Sequence, residues 1–180
     1  MDREKLKILN DIEAELSSRF QKIDEIALNN TLKVLSAFQK EEITNQHFAG
    51  TTGYGYTDKG KEGLSKVYAD IFETEDAVVT SHLTSGTHAI ATCLYGLLRP
   101  KDTLLSISGD LYDTLSDTLF GKDNGSLENY GITAKFVELK DGKFDEEKIL
   151  KLVKKLKPKV VFVQRSRGYS ARKALSVFAM

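Results

Sequence analysis

Cysteine is nearly absent from this 180-residue chain: Cys93 stands alone. A single thiol excludes an internal disulfide and a thiolate metal cluster. It lies in the apolar run AIATCLYGLL and is expected to be a small core residue. An excess of either charge is also absent, since 26 Lys and Arg balance 26 Asp and Glu. That removes the electrostatic footprint of a nucleic-acid or membrane-surface binder, so neither is an expected partner. No apolar run reaches membrane-spanning length. The opening MDREKLKILN is charged and lacks the apolar centre of a signal peptide, so a cytoplasmic location is expected. His47, His82 and His88 do not form a metal-ligand pattern, and no H-E-x-x-H occurs. No Walker loop is present, and no G-x-G-x-x-G follows a strand. GYGYTDKG (53–60) contains G-x-G, but it precedes the α/β region. The nucleophile elbow G-x-S-x-G is missing, and SISGD (106–110) is only a partial look-alike. No internal repeat is found.

What remains has the composition of a soluble globular protein: 41% hydrophobic and 29% charged residues can bury a core. Leu9, Ile12, Leu16, Phe20, Ile23 and Ala27 recur at helical spacing, and Leu32, Leu35 and Phe38 continue after a break at Asn29–Asn30–Thr31. Two N-terminal helices are expected. Residues 45–60, rich in glycine, read as a loop. Helices and strands then alternate. Helices are expected at 63–72, 86–98, 111–121 and 145–156, and strands at 77–83, 102–108, 132–139 and 158–166. This order implies an α/β fold with a mostly parallel sheet. The basic stretch KLVKKLKPK (151–159) reads as the solvated face of an amphipathic helix. The chain ends in RGYSARKALSVFAM with no closing helix, as expected of the N-terminal part of a longer protein.

Chemistry is concentrated at SHLTSGTHAIAT (81–92), where a β-branched run gives way to a helix. The first turn of a helix presents unpaired N–H groups and partial positive charge. Gly86 has no Cβ to block an anion, and Ser85 and Thr87 add hydroxyls, so a phosphate is a natural guest. An ordinary Ser/Thr cap with no ligand explains the same tetrapeptide. Tyr112 follows the next strand and could stack on a planar ligand whose phosphate lies at Gly86. Taken alone, it reads as a packing residue.

GYGYTDKGKEGLSKVYADIF, SGTHAIATCLYGLLRPKDTLLSISGDLYDTL and VVFVQRSRGYS together resemble the aluminium resistance, or methionine γ-lyase-like, family. These are fold type I pyridoxal 5′-phosphate enzymes of the cysteine and methionine metabolism group. The resemblance implies N-terminal helices and an inter-subunit loop over 1–60, then a partial cofactor-binding α/β domain over 61–180. It implies that Ser85 with the backbone of Gly86 and Thr87 holds the cofactor phosphate and that Tyr112 stacks on its ring. Tyr54 and Tyr56 would complete the site of a neighbouring subunit. Arg165 and Arg167 would bind a substrate carboxylate, or else form structural salt bridges.

The implied reaction is β- or γ-elimination across a carbon–sulfur bond of a sulfur amino acid, in a homo-oligomer (a dimer or tetramer). The lysine that bonds the cofactor and the acid that pairs with its ring nitrogen would both follow Gln164 in segments this chain lacks. The 180 residues alone are therefore expected to be inactive. Lys61 stands where arginine is typical, and Ala171 where an aromatic residue is; both fit a shortened or decaying reading frame. The alternative is a non-catalytic phosphate- or nucleotide-binding module, or a subunit-interaction module. No cluster of hard oxygen ligands for aluminium is visible.

Overall fold

A computed structural model of the chain describes residues 2–51, 58–121, 125–169 and 171–177. Its internal contacts divide it into two units, Met1–His82 and Leu83–Met180.

In the first unit, α1 (Arg3–Lys40) is a single helix of 38 residues, about 57 Å long at 1.5 Å per residue. Asp2 caps it, its carboxylate accepting the Glu4 N–H at 3.3 Å. The expected break at Asn29–Asn30 does not occur. The reason lies in the phase of the stripe: Ala27, Thr31, Leu35 and Phe38 follow one another at helical spacing, so nothing shifts the face. Asparagine in a helix interior costs only a few tenths of a kcal/mol relative to the best formers. Most of this stripe is exposed, Ile23 at 59% and Leu32 at 53%, and Ala37 is the helix's buried residue.

A 3-10 turn (Asn45–Phe48) leads toward α2 (Lys59–Phe72). Asp58 caps α2 by accepting the Lys61 N–H at 3.0 Å. The buried face of α2 is Gly63, Val67 and Ala69. Lys33 pairs with Glu73 at 3.2 Å and Lys40 pairs with Asp70, fastening α2 to α1. The Asp70 carboxylate raises the Lys40 pKa above its ordinary value.

The second unit holds α3 (Gly86–Leu97), β1 (Thr103–Ser106), α4 (Ser116–Leu119), β2 (Thr133–Phe136), α5 (Glu146–Leu156) and β3 (Val160–Phe162). The three strands form one parallel sheet in the order β2–β1–β3. Thr103 pairs with Thr133 on one side, and Leu104 with Val160 on the other. The central strand is therefore the buried one, with Leu104, Leu105 and Ser106 fully covered. Leu104 packs with Leu94, Leu98, Leu119, Leu127 and Ile132, so α3, α4 and the turn before β2 share one core. This α/β class with parallel strands is the expected one.

Three local expectations change. The run at 77–83 forms no ladder among the described residues, and Val78 is 77% exposed. A β-branched run becomes a strand only beside a partner, and among the described residues nothing pairs with 77–83. Cys93 is exposed, not buried. The inward stripe of α3 is Ile90, Leu94 and Leu98 at i, i+4 and i+8; Cys93 precedes Leu94 by one residue and so points about 100° away. The helix at 111–121 shortens to a 3-10 turn (Asp113–Leu115) followed by α4. The lysines of α5 are exposed as anticipated, with Asp145 capping its start and Lys154 and Lys155 in its last turn.

Among the described residues, no helix is long and apolar enough to cross a membrane.

Candidate active site

The start of α3 is built by local chemistry. Ser85 is extended (φ −158°, ψ 165°), and its Oγ accepts the His88 N–H at 3.1 Å. The first intrahelical bond runs from the Ala89 N–H to the Ser85 carbonyl at 3.0 Å. Ser85 thus acts as the helix cap, which was one of the two readings of the tetrapeptide. Helix geometry still leaves the amides of Gly86 and Thr87 without an intrahelical acceptor. A Cβ built on Gly86 would meet no heavy atom within 4 Å, so its front is open. The Thr87 and Thr114 hydroxyls lie 2.8 Å apart. The His88 ring is held back beside Thr84, whose N–H it accepts at 3.3 Å through Nδ1.

That open front belongs to a cavity of about 580 Å³. Gly86, Thr87 and Ile90 of α3 line one side, and Tyr112 and Leu115 another. Residues 162–166, leaving β3, complete it. It lies beyond the ends of parallel strands, where open α/β sheets bind ligands. The structure therefore brings Gly86, Thr87, Tyr112 and Arg165 around one space, with Ser85 just behind as the cap. Among the described residues, the lining contains Arg165 as its cation and includes no lysine and no carboxylate.

Arg167 goes elsewhere. It lines a second cavity of about 300 Å³ with Asp110, Glu138, Tyr169 and Arg172. Arg165 is partly committed, its Nε donating to the Leu175 carbonyl at 3.3 Å. Neither arginine forms a salt bridge among the described residues. Tyr54 and Tyr56 lie outside the described residues.

Tyr112 is fixed at both ends. Its N–H donates to the Gln164 side-chain oxygen at 2.8 Å. Its ring is stacked on Tyr169, with centroids 5.9 Å apart and planes 25° apart. Gly168 makes this packing possible: its φ is +56°, and a Cβ there would fall 2.5 Å from Tyr112 Cδ2. The neighbouring Tyr169 hydroxyl raises the Tyr112 phenol pKa above its ordinary value, with smaller contributions from burial and Asp113.

Sequence reasoning passed over Gln164 and Thr114. Gln164 carried a faint signal, a neutral polar residue closing the apolar run VVFV. Thr114 carried none, because its role depends on contact with Thr87, 27 residues earlier.

The profile of the methionine gamma-lyase family matches residues 5–180. The uncharacterized protein YnbB of Bacillus subtilis is 39% identical over 170 residues, covering 92% of this chain and 40% of YnbB. Among solved structures, a candidate cystathionine beta-lyase involved in aluminum resistance from Clostridium acetobutylicum is 43% identical with a TM-score of 0.89. The match covers 99% of this chain and 43% of that one. A carbon-sulfur lyase involved in aluminum resistance from Clostridium novyi NT is 40% identical with a TM-score of 0.86, again covering 99% of this chain and 43% of the other. This chain thus spans about two fifths of the length of the relatives it matches. Matched along nearly all of its residues by sequence and by fold, the chain belongs to the methionine gamma-lyase family.

Proposed function

We propose that this chain carries the phosphate cup and ring platform of a pyridoxal-phosphate-dependent carbon–sulfur lyase acting on sulfur amino acids. The names methionine gamma-lyase and cystathionine beta-lyase imply a pyridoxal-phosphate-dependent family. The residues fit that cofactor's phosphate end and ring face. The observation that carries the reading is the shared cavity, with Gly86, open in front, and Tyr112 lining one space of about 580 Å³.

In this reading the Gly86 and Thr87 amides donate to the phosphate, helped by the helix dipole. The Thr87–Thr114 hydroxyl pair offers a further donor, and Arg165 adds positive charge to the same cavity. Tyr112 lies against the ring, while Ile90, Leu115 and Phe162 keep that face apolar and exclude water. When bound, pyridoxal phosphate supplies an electron-accepting ring that acidifies the substrate Cα–H. Arg167, in the adjoining cavity, is a candidate for the substrate carboxylate. Tyr54 and Tyr56 are assigned to a neighbouring subunit's site, and the assembly is a homo-oligomer. The exposed apolar stripe of α1 supports such an assembly.

No lysine lines the described cavity. The 180 residues alone therefore bind the cofactor reversibly and do not turn over substrate. The test is to titrate the purified chain with pyridoxal phosphate, reduce with borohydride, and assay thiol and keto-acid release from sulfur amino acids. Saturable binding without a single trapped lysine and without turnover is the expected result. One trapped lysine together with lyase turnover would defeat the claim of inactivity. Tighter binding of a nucleotide than of pyridoxal phosphate would defeat the cofactor assignment.

A further inference from the structure

We propose that Gln164 is the positioning residue for Tyr112, setting where its ring stands in the cavity. The inference rests on the cofactor reading of that cavity and concerns how the ring platform is held. Gln164 uses both ends of its side chain and both of its backbone groups. Its Oε1 accepts the Tyr112 N–H at 2.8 Å, and its Nε2 donates to the Ser166 carbonyl at 3.2 Å. Its own N–H donates to Ser108 Oγ at 2.8 Å, and its carbonyl accepts from Arg172 Nη2 at 2.9 Å. The same Arg172 nitrogen reaches the Ser166 carbonyl at 2.6 Å. Ser108 is buried just beyond β1, so the anchor point belongs to the core of the sheet.

This arrangement joins the segment after β3 to the segment after β1 across 52 residues of sequence. Tyr112 is extended (φ −53°, ψ 137°) and immediately precedes a 3-10 turn, where its N–H lies outside the turn's own bonding. The Gln164 oxygen supplies the acceptor that local structure does not. Tyr112 and Gln164 are also the residues common to the linings of the 580 and 300 Å³ cavities. They form the wall between them, and a shift of Gln164 moves the ring relative to Gly86. A glutamine has the reach and the two-sided chemistry for this bridge: an acceptor toward Tyr112 and a donor toward Ser166.

Two measurements on the full 180-residue chain test the proposal. The first is hydrogen exchange at the Tyr112 amide. Gln164→Ala should speed it by about tenfold or more, the scale of one lost hydrogen bond, while amides of β1 keep wild-type rates. Gln164→Glu retains the acceptor and should stay within about threefold of wild type. The second is pyridoxal phosphate affinity in a double-mutant cycle. Gln164→Ala should weaken binding about fivefold when Tyr112 is present and less than about twofold in a Tyr112→Ala background, because the effect passes through the ring. Unchanged Tyr112 exchange in Gln164→Ala, or equal affinity losses in both backgrounds, would overturn the positioning role. Equal affinity of wild type and Tyr112→Ala would instead overturn the cofactor reading; the exchange result then decides the positioning by itself.

Discussion

Replacing Gly86 with alanine separates what the fold needs at the start of α3 from what a ligand needs. Gly86 does not have a positive φ, and an added Cβ would touch nothing within 4 Å. The backbone therefore accepts a side chain there without strain. Removing a glycine at a compatible position restricts the unfolded chain and stabilises by about 0.4–1 kcal/mol. For a chain of this size that raises the midpoint of thermal unfolding by about 1–4 °C. The same Cβ is tilted toward the helix N-terminus, into the space that an anion must enter to reach the first-turn amides. Losing one hydrogen bond to a charged group costs about 1.5–3 kcal/mol, a loss of roughly 10- to 100-fold in affinity. Gly86→Val, which is bulkier, should lose more. The assay pairs thermal unfolding of the ligand-free chain with isothermal titration of pyridoxal phosphate. A more stable chain with weakened binding is expected. A midpoint several degrees lower would show that the glycine is structural, and wild-type affinity in both variants would remove the phosphate from the end of α3.

Three further outcomes follow from the same structure. Ser85→Ala removes the acceptor of the His88 N–H and should cost about 1 kcal/mol, read as a fall of about 2–4 °C in thermal midpoint; no change would mean that another group caps α3. Tyr169→Ala should lower the Tyr112 phenol pKa, since the Tyr169 hydroxyl is the first cause of its elevation. That elevation favours the fold below the unfolded tyrosine pKa and fades as pH rises through the folded value, so the variant should lose the wild type's extra alkaline drop in stability; an unmoved ultraviolet titration would refute it. Cys93, exposed on α3, should react with a thiol reagent in the native chain at a rate comparable to that in denaturant; strong protection would place it back in a core.

The parts of this protein that were legible in its sequence are those fixed by neighbours along the chain. Ser85 caps α3 through a residue three positions away, and Asp58 and Asp145 cap α2 and α5 in the same way. The helical periods and the apolar runs at 103–106 and 160–162 are equally local. What sequence left hidden depends on partners far along the chain. The run at 77–83 has the composition of a strand but joins no ladder among the described residues. Cys93 sits in an apolar run, yet which side of α3 is covered is decided by Leu104 and Ile132, which come later. Asn29–Asn30 looks like a break when read as a dipeptide, and like a continuous helix when the stripe on either side is kept in phase.

The site divides along the same line. Its proposed anion-binding end needs only the geometry of a helix start, which four residues, Ser85 to His88, are enough to suggest. The proposed ring platform needs Tyr112 at a defined distance from Gly86, and no local rule sets that distance. It is set by α3 packing on β1 through Leu94 and Leu104, by the Ser108–Gln164 bond joining the ends of β1 and β3, and by the Gln164–Tyr112 bond. Each of these ties lies within Leu83–Met180, and together they hold the two ends of the cavity in one frame. The proposed grip on a planar phosphorylated ring would therefore draw on this unit's own residues. Disrupting the frame at Ser108 should loosen the ring end and leave the capped helix start intact.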